Sequence, residues 1–308
     1  MTHPLRWIGS VLPMVFLCSV PVLVRTGAGA RGGLGAVKAC RLSPAMAADQ
    51  AALPSTRPEA NRRLRVVIFG AHCDDPETGC GGLVTLLTQA GHEVLLAYAT
   101  TFRGERKIGN EPEDIVRRRE STAACRILGA TPKFFDWAHE DLFADPAAVR
   151  TVSKWLKQVA PDIVVVHWPL DTHPNHHVIS SLVWQCYDHG GQVWGQPPAS
   201  GPAPTEEPSG VGWNLYFYEV NTFTEHRDLE TLGFQPTLYL DIGKVRDIKK
   251  KAVDCFKSQA QYNLWEVQDN MHRRRGAECG VAYAEAYFLV EAKKGCPLLP
   301  VKFLPAKR

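Results

Sequence analysis

No C-x-x-C pair occurs in this 308-residue chain, and its nine cysteines are odd in number. A disulfide framework is therefore not expected, and the thiols read as small apolar packing groups. Charge of one sign is scarce as well: 35 basic residues stand against 32 acidic ones, a net charge of +3. A nucleic-acid-binding domain is usually strongly basic, so no nucleic-acid partner is expected. The short runs Lys249-Lys250-Lys251 and Arg273-Arg274-Arg275 read as solvated faces rather than phosphate tracks. There is no internal repeat. The fingerprint G-x-G-x-x-G is also missing: Gly79 and Gly81 are followed by Val84 where the third glycine belongs. The acids beside that turn would repel a pyrophosphate, so a dinucleotide cofactor is set aside.

The one long apolar run is Trp7–Val24, preceded by Arg6 and followed by small residues at Ala28 and Ala30. A basic start, an apolar middle and an A-x-A site describe a secretory signal peptide over residues 1–30; Ala45-Met46-Ala47 is a second candidate site. The run is also about as long as the ~20 residues of a membrane span, which leaves a single anchor as the other reading. Export to a periplasm or the exterior is expected if this segment acts as a signal, and a cytoplasmic protein otherwise. Residues 31–62 are rich in Ala, Gly, Pro, Ser and Arg without apolar period and read as a linker.

From residue 63 the pattern alternates. Short apolar strands are expected at Val66–Phe69, His92–Thr100, Lys133–Asp136 and Asp162–His167. Amphipathic helices are expected at Gly81–Gln89, Glu113–Leu128, Pro146–Val159 and Asn175–Tyr187. Strands alternating with helices make βαβ units, and so an α/β, Rossmann-like, doubly wound, mostly parallel sheet. Residues 190–212 are Gly/Pro-rich and read as a flap. Beyond them, strands are expected at Trp213–Glu219 and Thr237–Asp241 and a helix at Ile248–Gln261. The single domain is expected over 63–296, with 297–308 as a tail.

In such a sheet ligands bind beyond the carboxyl ends of the strands, at the switch point, where strands one and four are neighbours. Strand one ends in Ala71-His72-Cys73-Asp74-Asp75; strand four ends in His167 and runs on to Asp171-Thr172-His173-Pro174-Asn175-His176-His177. The two clusters richest in imidazole and carboxylate are thereby brought together. A divalent cation would neutralise the adjacent carboxylates, and two His with one Asp and an open position is a catalytic zinc arrangement. One aspartate can bind the metal while its neighbour serves as base to a water whose pKa falls towards ~7.

His72-Cys73-Asp74-Asp75-Pro76-Glu77-Thr78-Gly79-Cys80-Gly81-Gly82 resembles the H-P-D-D-x-E-x-G-C-G-G signature of the LmbE-like (PIG-L-like) N-acetylglucosaminyl deacetylases. His173-Pro174-Asn175-His176 resembles their H-P-D-H motif. Arg117-Arg118-Arg119-Glu120 with Leu128-Gly129 is similar to their R-x-x-E…LG helix, and Lys251-Ala252 with Lys257-Ser258-Gln259 to a late K-A…SQ segment. The resemblance implies zinc ligands at His72, Asp75 and His176, a general base at Asp74, and at His173 a donor to the leaving amine or the oxyanion. It implies a substrate contact at Arg117. The implied reaction is zinc-dependent hydrolysis of an N-acetyl group on an N-acetylglucosamine-type amino sugar or conjugate. Iron suits the same ligands. The rival reading is a non-catalytic carbohydrate-binding member of the same fold, in which Asp74 would have no role.

Two positions depart from the pattern. Cys73 stands where the family has proline, and its thiol is expected to point away from the metal. Asn175 stands where the family has aspartate, expected to orient a histidine; with an amide there, His173 should protonate less readily. His176 is preferred over its neighbour His177 on motif register. His167 reads as structural, His92 and His139 as ordinary histidines, although His139 lies at the carboxyl end of the third strand. The segment Tyr283–Tyr287 is expected to shape the pocket.

Overall fold

The first core strand, β1 (Arg65–Gly70), is apolar at four successive positions because both of its faces are covered. Strands buried on both faces read as continuous apolar runs, not alternating ones. Val66 and Ile68 pack to one side, Val67 and Phe69 to the other. The computed structural model describes residues 62–188, 212–220 and 233–306. The expected signal or anchor at 1–30, the linker up to residue 61 and most of the 190–212 flap lie outside the described residues.

The elements continue as α1 (Asp75–Gln89), β2 (Glu93–Phe102), the small hairpin β3 (Lys107–Ile108) and β4 (Glu111–Pro112), α2 (Glu113–Leu128), β5 (Thr131–Ala138), α3 (Pro146–Val159), β6 (Ile163–His167) and α4 (Pro174–Asp188). Then come β7 (Asn214–Tyr218), β8 (Leu238–Asp241), α5 (Arg246–Val253), α6 (Leu264–Cys279), β9 (Ala284–Leu289) and β10 (Phe303–Leu304). The large sheet has the order β10-β8-β9-β7-β6-β1-β2-β5. Its β5-β2-β1-β6-β7 part is parallel, and β9, β8 and β10 add antiparallel strands at one edge. Strands β1 and β6 pair directly, Val66 against Ile163 and Ile68 against Val165. The order in which strands are added to the sheet switches sides at this point, as the α/β reading requires. Apolar faces of α1, α2 and α5 cover one side; α3 and α4 cover the other. No helix among the described residues is long and apolar enough to cross a membrane.

Four expectations need correction. Helix α1 starts six residues before Gly81, because Pro76 suits a first helical turn and the glycines are there for close approach. A Cβ on Gly81 would lie 2.8 Å from Lys249 Cγ, and one on Gly82 2.8 Å from Glu285 Oε1. The expected helix Ile248–Gln261 is split into α5 and a 3-10 turn over Lys257–Tyr262. Ser258 is drawn out of the helix by Glu120, whose carboxylate accepts its N–H at 2.8 Å and its hydroxyl at 2.6 Å. The basic runs are not wholly solvated. Lys249 is fully buried and pairs with Glu285 at 2.6 Å; Arg275 is buried and forks onto Glu219 at 2.5 and 2.6 Å. Finally, 297–308 is not a free tail: Phe303 pairs with Leu240 in an edge strand, and Leu299 is buried with its N–H on Tyr216 Oη at 3.2 Å.

Candidate active site

The tip of β1 is tied to both neighbouring strands. Ala71 donates its N–H to His167 Nε2 at 3.1 Å, and its carbonyl accepts from the Thr100 N–H at 2.9 Å and hydroxyl at 2.8 Å. The chain then turns through Asp74, which caps α1 at φ 128°, a left-handed conformation that favours glycine. Strain held at such a position is typical of functional sites. Asp75 follows in the first turn of α1, where the helix N-terminus favours a carboxylate. The His72 N–H donates to Asp75 Oδ2 at 2.7 Å.

From the other side, the loop after β6 brings His173 and His176 over this turn. His176 Nε2 lies 3.3 Å from His72 Nδ1 and 3.4 Å from Asp75 Oδ2, and His72 Nδ1 lies 3.4 Å from the same oxygen. A tetrahedral zinc with bonds near ~2.05 Å holds its ligand atoms about 3.3 Å apart. The three donors thus form one face of such a tetrahedron. Two overlapping sets, His72 with His173 and His176, and Asp75 with His167 and His176, also gather their donor atoms within 4.8 Å. His167 is the less suitable donor, because its Nε2 already accepts from Ala71 and lies 3.2 Å from the Tyr218 hydroxyl. His177 is exposed.

The charges are arranged to the same end. Burial opposes ionisation of Asp75, but His176, His72 and His167 override it and hold its carboxyl well below the usual range. Burial also opposes a charge on His176, yet Asp171 and Asp75 push its pKa up to about 10. The space between those two carboxylates favours a positive charge. Asp74 goes the opposite way: burial, against the pull of Arg117, raises it to about 7. Two adjacent carboxyls with pKa values driven apart is the pattern of a site that keeps one as ligand and one as base. His173, half-buried beside His176, is lowered to about 4 by that burial and by the charge of His176. Its Nδ1 accepts the Asn175 N–H at 3.2 Å, so its proton sits on Nε2 and that atom is a neutral donor.

Three residues have partners that the motifs did not announce. Arg117 is buried at the site, donates to the Cys73 carbonyl and lies 3.5 Å from Asp74 Oδ2, so it holds the candidate base. The Asn175 side chain addresses His72, not His173: its Nδ2 lies 3.3 Å from His72 Nε2 and 3.4 Å from the His139 carbonyl. Asp171, which the sequence reading passed over, supplies the carboxylate partner. Its Oδ1 lies 3.0 Å from His176 Nδ1 and accepts the His173 N–H at 2.9 Å. A carboxylate on one ring nitrogen, with the other left for a metal, is the usual support of a metal-binding histidine. The D-x-H spacing ahead of His176 was the available signal. His167 is structural as expected but lies within the site, its ring stacked 3.9 Å from that of His176. His139 also belongs to the rim, 4.5 Å from the His72 ring. Cys73 points into the core, where burial raises its thiol to about 12.

Residues 67–187 match the family model described as GlcNAc-PI de-N-acetylase (PIG-L). The chain is 28% identical over 231 residues to a 4-oxalmesaconate hydratase of Pseudomonas putida, covering 69% of this chain and 80% of that one. It is 23% identical over 221 residues to a probable N-acetyl-alpha-D-glucosaminyl L-malate deacetylase of Bacillus subtilis, covering 67% and 88%. The N,N'-diacetylchitobiose deacetylase of Pyrococcus horikoshii shares the fold with a TM-score of 0.54 at 20% identity, covering 73% and 83%.

Proposed function

We propose, from the premise that the chain carries a PIG-L family domain over residues 67–187, that it is a metal-dependent hydrolase. Its reaction is removal of an N-acetyl group from an N-acetylglucosamine-type amino sugar or conjugate. The observation that carries this reading is the triangle of His72 Nδ1, Asp75 Oδ2 and His176 Nε2, with edges of 3.3 to 3.4 Å and Asp74 beside it.

His72, Asp75 and His176 would hold the cation, zinc or ferrous iron, with Asp171 orienting His176. When bound, the cation supplies a Lewis acid that polarises the acetamide carbonyl and acidifies water. Asp74 then accepts a proton from the attacking water, its carboxylate held in place by Arg117 at 3.5 Å. The neutral Nε2–H of His173 donates to the oxygen that gains charge at the former carbonyl carbon. The proton taken up by Asp74 leaves with the amine. Release of glucosamine-type amine and acetate from N-acetylglucosamine derivatives, beside metal analysis of the purified protein, tests the reading. Retention of zinc with no amine release from any derivative would sink it.

A second reading follows from the 28% identity to a hydratase. Adding water to an activated double bond also needs a base beside a polarised carbonyl, and Asp74 and the triangle could serve it. Loss of absorbance from an unsaturated oxo-acid, without amine release from acetamido sugars, would favour this alternative. A non-catalytic carbohydrate binder is distinguished by Asp74→Asn, which should abolish turnover in an enzyme and leave a binder's turnover at zero throughout. For the cellular setting we propose export through the N-terminal apolar segment. Fractionation of cells expressing the full chain tests this, and recovery only in the cytoplasm would overturn it.

A further inference from the structure

We propose that Arg103 and His139 form an anion-reading wall beside the candidate site, which selects substrates carrying a carboxylate or phosphate next to the acetamido sugar. This rests on the deacetylase reading only for what is turned over; the recognition can be tested by binding alone.

The wall is built from two strand ends. Arg103 follows β2, and its backbone N–H donates to Glu113 Oε2 at 3.0 Å, which fixes where its side chain starts. His139 follows β5. Its ring lies 4.5 Å from His72, the same separation as that of the His173 ring from His72. Its carbonyl receives the Asn175 amide at 3.4 Å. The imidazole is therefore at the rim of the site, not elsewhere on the surface.

The hydrogen bond between the two side chains sets their chemistry. Arg103 Nε donates to His139 Nδ1 at 3.1 Å. A ring nitrogen that accepts carries no proton, so the His139 proton is on Nε2 and that edge is a donor. Arg103 uses only its Nε in this contact, which leaves the two terminal amino groups of the guanidinium, a fork suited to carboxylate or phosphate oxygens. Among the described residues no carboxylate lies within ion-pair distance of Arg103. The nearby Glu113 is buried and shared between the Arg103 backbone and Arg106 at 3.5 Å. Two donors, one of them permanently charged, thus sit beside the site without a countercharge among the described residues. The chemistry that satisfies them is an oxyanion on the ligand.

The test compares three ligands by calorimetry with the zinc-loaded wild type and with Arg103→Gln: N-acetylglucosamine, N-acetylglucosamine 6-phosphate and N-acetylmuramic acid. Arg103 is exposed, so the substitution does not threaten folding. At least one of the two acidic sugars should bind the wild type about tenfold or more tightly than the neutral one, as charge-assisted hydrogen bonds allow. Which one does so tells phosphate from carboxylate, and Arg103→Gln should bring it down to the neutral level. Equal binding of all three by the wild type, or a preference that survives Arg103→Gln, overturns the inference. Amine release measured in parallel separates the two ideas. Turnover without acid preference removes the anion wall and keeps the deacetylase; acid preference lost in Arg103→Gln without turnover does the reverse.

Discussion

Asn175→Asp should tighten metal binding, and the reason lies in which hydrogen His72 carries. The Asn175 Nδ2 touches both His72 Nε2 at 3.3 Å and the His139 carbonyl at 3.4 Å. A carbonyl can only accept, so the amide nitrogen belongs at that point and donates to His72 Nε2 as well. The His72 proton is then on Nδ1, the atom that faces Asp75 and His176. A metal at Nδ1 requires the other tautomer, whose Nε2–H would confront the amide NH2. An aspartate at 175 accepts that N–H instead and adds a negative charge near the cation. Partners of this kind change metal affinity by about 10- to 100-fold, equivalent to about 1.4–2.7 kcal/mol. The gain should fall in the lower half of that range, because the new carboxylate also meets the His139 carbonyl. Competition of the apo-protein with a chromophoric chelator for zinc measures it directly. Asn175→Ala, which removes the opposing donor without supplying an acceptor, should fall between the two. Equal zinc affinity in all three proteins would refute the tautomer argument.

Asp74→Asn should lower turnover by about 10²- to 10⁴-fold, the usual worth of a general base, with zinc content unchanged; loss of zinc along with activity would make Asp74 a ligand instead. Asp74→Gly should be more stable than Asp74→Ala by about 1–3 kcal/mol in urea unfolding, because both lose the carboxylate that faces buried Arg117 but only glycine relieves φ 128°; equal stability of the two variants would mean that the conformation is not strained. Lys249→Met should destabilise by about 3–5 kcal/mol, because it leaves Glu285 charged and buried. Adding Glu285→Leu should recover part of that loss, and a double variant weaker than the single would contradict it. His272 is buried against Lys249 at 3.0 Å, and burial, with the charges of Lys249 and Arg246, holds its pKa well below normal. Below pH ~6.5 the unfolded chain takes up a proton that the folded chain refuses, so stability falls as pH drops, by up to about 1.4 kcal/mol per unit. His272→Gln should flatten the stability–pH curve by that amount, and parallel curves for the two proteins would refute the assignment.

The parallel sheet and the meeting of its two loaded tips were legible in the sequence because both follow from short-range patterns. Val66–Phe69 and Ile163–Val166 are apolar throughout, helices at Glu113–Leu128 and Pro146–Val159 have the spacing of one buried face, and α/β chirality makes strands one and four neighbours. His72, Asp74, Asp75, His173 and His176 were likewise readable as a constellation, since chemistry of this kind clusters at strand ends. Contacts made at a distance were not readable. A glycine-rich stretch looks like a turn until Lys249, Ile242 and Glu285 are seen to press on α1. A run of three lysines looks solvated until Lys249 meets Glu285 across 36 residues of chain. The pairing of Arg117 with Asp74, more than forty positions earlier in the chain, follows from no local pattern either. Local sequence determines which residues want to be buried and which strands lie side by side. Which side of a functional group each neighbour occupies, and so which nitrogen carries a proton and which carboxyl ionises, depends on separations of 3 to 4 Å between residues remote in sequence, and only tertiary packing sets those.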